Sequence, residues 1–163
     1  MEIRRAGLDD LEEIMEIYDF ARRFMAAHGN PSQWGADYPL RSHIEEDMEK
    51  GHSYVCMEDG KIVCAFVFFV AEDPSYRYME GGSWINDREY GVVHRIASAE
   101  GTRGAASYCL NWCYEQCHNL RIDTHEQNHP MQNLLKKLGF VKCGTIYVRD
   151  HSPRVAFHKC EMP

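Results

Sequence analysis

The chain has 163 residues and a mass of 18.9 kDa, short enough that a single domain over 1–163 is the expected organisation. Eighteen Lys plus Arg against twenty-five Asp plus Glu leave a net charge of −7, which argues against a nucleic-acid backbone as the main partner. Apolar residues at 44% and charged residues at 26% exclude global disorder.

The N-terminal Met1-Glu2-Ile3-Arg4-Arg5 carries no signal-peptide core. The longest apolar run, Ile62 to Ala71, is roughly half of what a membrane-spanning helix needs. No membrane partner is therefore expected. Seven cysteines, an odd number with no C-x-x-C, argue against a secreted disulfide framework. Free thiols in a reducing cytoplasm are the expectation.

Residues 2–6 read as a short strand. Leu11, Ile14, Met15, Ile17, Tyr18, Ala21 and Met25 then recur at helical spacing up to about Ala27, where His28-Gly29-Asn30-Pro31 stops the helix. A second helix starts near Pro39, carries Ile44 and Met48, and closes at Gly51. Ser53–Met57 and Lys61–Val70 are predicted strands joined by a tight turn at Asp59-Gly60. The second of them lacks alternation and so belongs inside a sheet. A polar and aromatic connection occupies 72–90, long enough to suspect binding. It holds Tyr76, Tyr78, Glu80, Trp84 and Asp87. A strand over Gly91–Ser98, a helix from about Gly104 to His118, and a strand over Leu120–Thr124 follow. Pro130 opens a short helix with Gly139 at its C′ position, and two strands near 140–148 and 154–160 close the chain. The order β α α β β β α β α β β predicts one mixed α/β sheet.

The stretch from Val93 to Ala106 is a strand, a Gly-containing loop and the first turn of a helix. Such a corner aims several backbone N–H groups at one point, and the helix dipole favours negative charge there. Gly104, Ala105 and Ala106 are small enough to let a phosphate approach. Neither a P-loop Gly-Lys-Ser/Thr nor a dinucleotide G-x-G-x-x-G is present. A helix start whose small residues merely pack on the sheet explains the same pattern.

Cys109, Cys113 and Cys117 recur every fourth residue, a helical stripe that reads as core packing in preference to a metal site. His94 shares a strand face with Tyr90 and Val92, whereas Arg95 has the opposite parity and is expected to meet a carboxylate. Arg121, Asp123 and His125 share a face by the same period of two. Three polar groups on a central strand need partners, whether catalytic or in a structural ion-pair network.

This arrangement resembles the GNAT family of acetyl-CoA-dependent N-acetyltransferases. Its pyrophosphate motif, Q/R-x-x-G-x-G/A, is matched in the last four positions by Arg103-Gly104-Ala105-Ala106, while its leading residue falls on Gly101. Leu138-Gly139-Phe140 matches the family's helix ending, and Asn128 stands where the family often directs an Asn toward the cofactor. The resemblance covers nearly the full chain. It implies a single mixed, mostly antiparallel sheet with helices on both faces, its fourth and fifth strands splayed around the cofactor's pantetheine arm. Acetyl-CoA would then pair with backbone groups of Ile96 and Ser98 and rest its diphosphate on Thr102, Arg103, Gly104, Ala105 and Ala106, with no metal required. The resemblance further implies direct attack by an amine of a small molecule or peptide, with pairing of two copies through the last strands. His94 is the leading base, and Asp123 and His125 are the supporting candidates. The family's usual Tyr acid falls on Leu135, so another group must protonate the leaving thiolate. A CoA-binding module without turnover is the rival expectation.

Overall fold

The computed structural model describes residues 1–161. Seven strands and four α-helices follow in the order β1 (Glu2–Arg5), α1 (Leu11–Ala27), α2 (Arg41–Glu49), β2 (Ser53–Glu58), β3 (Lys61–Val70), β4 (Gly91–Ser98), α3 (Ala105–Cys117), β5 (Asn119–Thr124), α4 (His129–Lys137), β6 (Val141–Tyr147) and β7 (Pro153–Cys160). The strands form one mixed sheet ordered β1-β2-β3-β4-β5-β7-β6. Pairing is antiparallel at β1–β2, β2–β3, β5–β7 and β6–β7, and parallel at β4–β5. The predicted element order and the mixed α/β fold class both hold.

Two compact units divide the chain: residues 1–68 with 94–110, and residues 69–93 with 111–163. In the first, Leu11, Ile14, Ile17 and Tyr18 of α1 and Ile44 of α2 are buried against Val55, Ala65 and Ala97 of β2, β3 and β4. Cys56 and Cys64 are the next residues along and therefore face the other way. There they meet the thiol of Cys109 in α3. Helices thus cover both faces of β2 and β3, which is why β3 can be continuously apolar. The Asp59-Gly60 turn joining those strands takes φ of 53° and 77°, the positive pair that a tight hairpin requires.

In the second unit, the connection 71–90 folds over one face of β5 and β7. Tyr76, Tyr90, Val92, Ile146 and Ala156 form its buried core, with Phe69, Met79 and Trp84 against them. Glu80 forms a β-bridge with Thr145 of β6, exchanging both backbone hydrogen bonds at 2.9 Å. This docking needs Gly82, because a Cβ there would stand 1.7 Å from the Cys143 carbonyl oxygen.

Candidate active site

In the first unit the predicted strand, glycine loop and helix start follow one another. The loop after β4 turns through Gly101 and Gly104, each at φ +77°, and α3 begins at Ala105. The Thr102 N–H donates to the Ala99 carbonyl at 3.2 Å, and Gly104 O accepts the first intrahelical bond, from Tyr108 N–H at 3.1 Å. The N–H groups of the first turn have no carbonyl ahead of them in the helix and point out of its end. Their environment suits an anion. No acidic residue lies in that turn, Arg103 is exposed beside it, and a Cβ built on Gly104 meets no heavy atom within 4 Å. Charge and space at 103–106 are compatible with a diphosphate, whereas the Thr102 N–H, expected to join them, is spent on the Ala99 carbonyl.

β4 leads into that corner with a local irregularity that the sequence does not signal. Arg95 takes φ +49°, a left-handed conformation rare for a non-glycine residue, so alternation breaks there. Two groups hold it. Its Nη1 donates to the Tyr38 hydroxyl at 2.6 Å, its Nη2 is paired with the Asp47 carboxylate, and both members of that pair are largely buried. The neighbouring carboxylate and phenol keep the guanidinium firmly charged despite its burial. The carboxylate partner expected for Arg95 is therefore Asp47. Beyond it, Ala97 is buried against the α1 core, so Ile96 and Ser98 direct their side chains to the opposite face. His94, directly before the kink, is half-buried.

In the second unit, Asp123 accepts a 2.7 Å hydrogen bond from the Tyr76 hydroxyl. Arg121 makes a different kind of contact. Its guanidinium lies over the rings of Trp84 and Tyr90, at 4.4 Å and 3.9 Å from their centroids. Strand β5 ends at Thr124, so His125 sits in the following turn, where its Nδ1 accepts the Gln127 N–H at 3.0 Å. With Nδ1 accepting, the neutral ring carries its proton on Nε2 and is a donor there. Burial and the nearby Arg154 charge push the His125 pKa down. Asn128 is the N-cap of α4, its side-chain oxygen accepting from Met131 N–H at 3.2 Å. Leu135 of α4 is fully buried. The cysteine stripe also packs inward: Cys109 and Cys113 are buried, and the Cys117 thiol donates to the Cys113 carbonyl at 3.3 Å.

The connection 71–90 and β5 line an open pocket of about 530 Å³, with Tyr76, Trp84, Asp87, Tyr90 and Arg121 among its walls. Its aromatic content is visible in the sequence. Its partnership with Arg121 is not, because loop and strand are more than thirty residues apart.

The family model for the acetyltransferase (GNAT) family matches residues 11–140. The chain is similar to a GNAT-family acetyltransferase from Streptococcus agalactiae 2603, with 30% identity and a TM-score of 0.91, covering 99% of this chain and 96% of that one. It is also similar to a Staphylococcus aureus MU50 protein described as an acetyltransferase, at 26% identity and a TM-score of 0.72, covering 98% and 99%. A chain of the NatC complex crystallised with Gag peptide and CoA shares the fold at 12% identity and a TM-score of 0.64, covering 99% and 100%. No significant match to a curated protein is found.

Proposed function

The chain belongs to the acetyltransferase (GNAT) family, and from that premise we propose that it moves acetyl from acetyl-CoA to an amine of a small molecule or peptide by direct attack. The observation carrying this reading is the corner at 101–106: two glycines at positive φ open a thirteen-residue helix with no acid in its first turn. Backbone N–H groups there, from Arg103 to Ala106, bind the diphosphate, the Thr102 N–H being held by the Ala99 carbonyl, and Arg103 adds an exposed positive charge. Backbone groups of Ile96 and Ser98 hold the pantetheine arm. Acetyl-CoA, when bound, supplies an acetyl group activated as a thioester.

The chain's own residues then have three tasks. An N–H of Ile96 or Ala97 stabilises negative charge developing on the acyl oxygen, an effect worth about 3 kcal/mol in comparable sites. The kink at Arg95, fixed by Asp47 and Tyr38, sets the direction of that N–H. A base must take the proton from the ammonium form of the acceptor, which dominates at pH 7 and cannot attack. We assign that role to His94. His125, whose Nδ1 already accepts a backbone N–H, suits hydrogen-bond donation better than proton removal. Asp123, the supporting acidic candidate, accepts the Tyr76 hydroxyl at 2.7 Å. The leaving thiolate is protonated by water, because the family's usual tyrosine position is Leu135, sealed in the core. We read 1–163 as one working domain of the cytoplasm.

The test is release of CoA thiol from acetyl-CoA across a panel of primary amines, with a thermal melt alongside. Turnover with any member and a cofactor-dependent rise in Tm support the reading. Absence of any Tm rise at saturating acetyl-CoA overturns it.

A further inference from the structure

We propose that Arg121, with the pocket it lines, forms a binding site for the carboxylate of a small organic ligand. Arg121 is 5% exposed, yet among the described residues no carboxylate lies within ion-pair distance of its guanidinium. Its one hydrogen bond runs from Nη2 to the Asn86 carbonyl at 2.7 Å, and its buried Nε has no partner. Burial presses its pKa down against the attraction of Tyr90 and the more distant Asp87. A guanidinium in this position is costly, because buried charges are normally neutralised by a counter-charge. The rings of Trp84 and Tyr90 hold it by its faces.

Arg121 lines a cavity of about 530 Å³, within the range that takes a small molecule. The missing counter-charge and the space to receive one therefore coincide. The rest of the lining selects among anions. Glu72, Asp87 and Glu89 also border the pocket, and the first is already paired with Arg77. With that pair set aside, Asp87 and Glu89 stand against Arg88 and Arg121, a balanced lining that gives a dianionic phosphate no net attraction. A planar monoanion matches the guanidinium fork and lies between aromatic walls. The site is independent of the acetyl-CoA corner in its argument and in its test.

The experiment uses the whole 15N-labelled chain without acetyl-CoA. Acetate and benzoate are titrated at constant ionic strength, against acetamide and benzamide as neutral matches and inorganic phosphate as the competing anion. The side-chain N–H signals of Arg121 and Trp84 are followed. Saturable shifts in the roughly millimolar range are expected with the carboxylates, with the amides weaker by about tenfold or more. Arg121→Gln should abolish the response, and Arg121→Lys should weaken it while keeping the charge. Should Arg121→Gln fail to fold, the carboxylate–amide comparison on the native chain decides alone. Failure of both carboxylates to saturate, equal binding of the amides, or tighter binding of phosphate would overturn the proposal.

Discussion

At the scale of single residues, His94 and His125 meet different backbone surroundings. Both lie half-buried, and both were candidates by strand parity. His125, however, spends its Nδ1 lone pair on Gln127 N–H. A general base needs a free lone pair aimed at the proton it removes, so its ring would have to break that bond first. His94 lies on β4, one residue before the left-handed kink that aims the following N–H groups. His94→Ala is therefore expected to lower kcat by about 10²–10⁴-fold, typical for loss of a general base. Affinity for acetyl-CoA, measured by titration calorimetry, should stay within about twofold, because the cradle is backbone. A variant whose kcat and pH–rate profile match the parent would assign proton removal elsewhere.

At the scale of elements, the order of strands and helices was legible because each rests on a local rule. Period-3.6 apolar spacing gave α1, the unbroken run gave β3, Asp59-Gly60 gave the hairpin between β2 and β3, and Gly139 ended α4 at φ +92°. The strand–loop–helix corner at 93–106 was legible for the same reason, since its three parts are contiguous. What the sequence hid are contacts between distant segments: Asp47 with Arg95, Tyr76 with Asp123, and the two rings around Arg121. Parity could place Arg121 and Asp123 on one face but could not say that the 71–90 connection would lie over it. That docking is testable at Gly82. A Cβ there would stand 1.7 Å from the Cys143 carbonyl oxygen, backbone against backbone, so the connection must shift as a whole. Gly82→Ala is expected to destabilise by roughly 2–4 kcal/mol, in the range of severe overpacking. A fall in the urea midpoint, with the Trp84 indole signal displaced, would show it. An unchanged midpoint would mean that the connection is not held against β6.

At the scale of the whole molecule, stability against acid depends on a histidine that no catalytic argument uses. His158 on β7 is fully buried. Its Nε2 donates to the Asn119 side-chain oxygen at 2.7 Å, and its Nδ1 accepts the Ile85 N–H at 3.1 Å, so the neutral ring is held at both ends. A second proton would have to enter at Nδ1, breaking the bond to the connection, and would bring a charge toward Arg121. Burial, then the Arg121 and Arg88 charges, accordingly lower the pKa from 6.5 to about 4. The unfolded chain takes up this proton near pH 6.5 and the folded chain only near pH 4. The stabilisation is thus complete above pH 6.5 and is lost progressively as pH falls toward 4. By pH 5 the loss from this one group is about 2 kcal/mol. His52 and His125, whose pKa values are also lowered by burial, act in the same direction. Urea midpoints measured at pH 7 and pH 5 should therefore separate clearly in the native chain. They should separate much less in His158→Gln, whose amide replaces both hydrogen bonds without titrating. An equal separation in the two proteins would show that acid sensitivity arises outside β7.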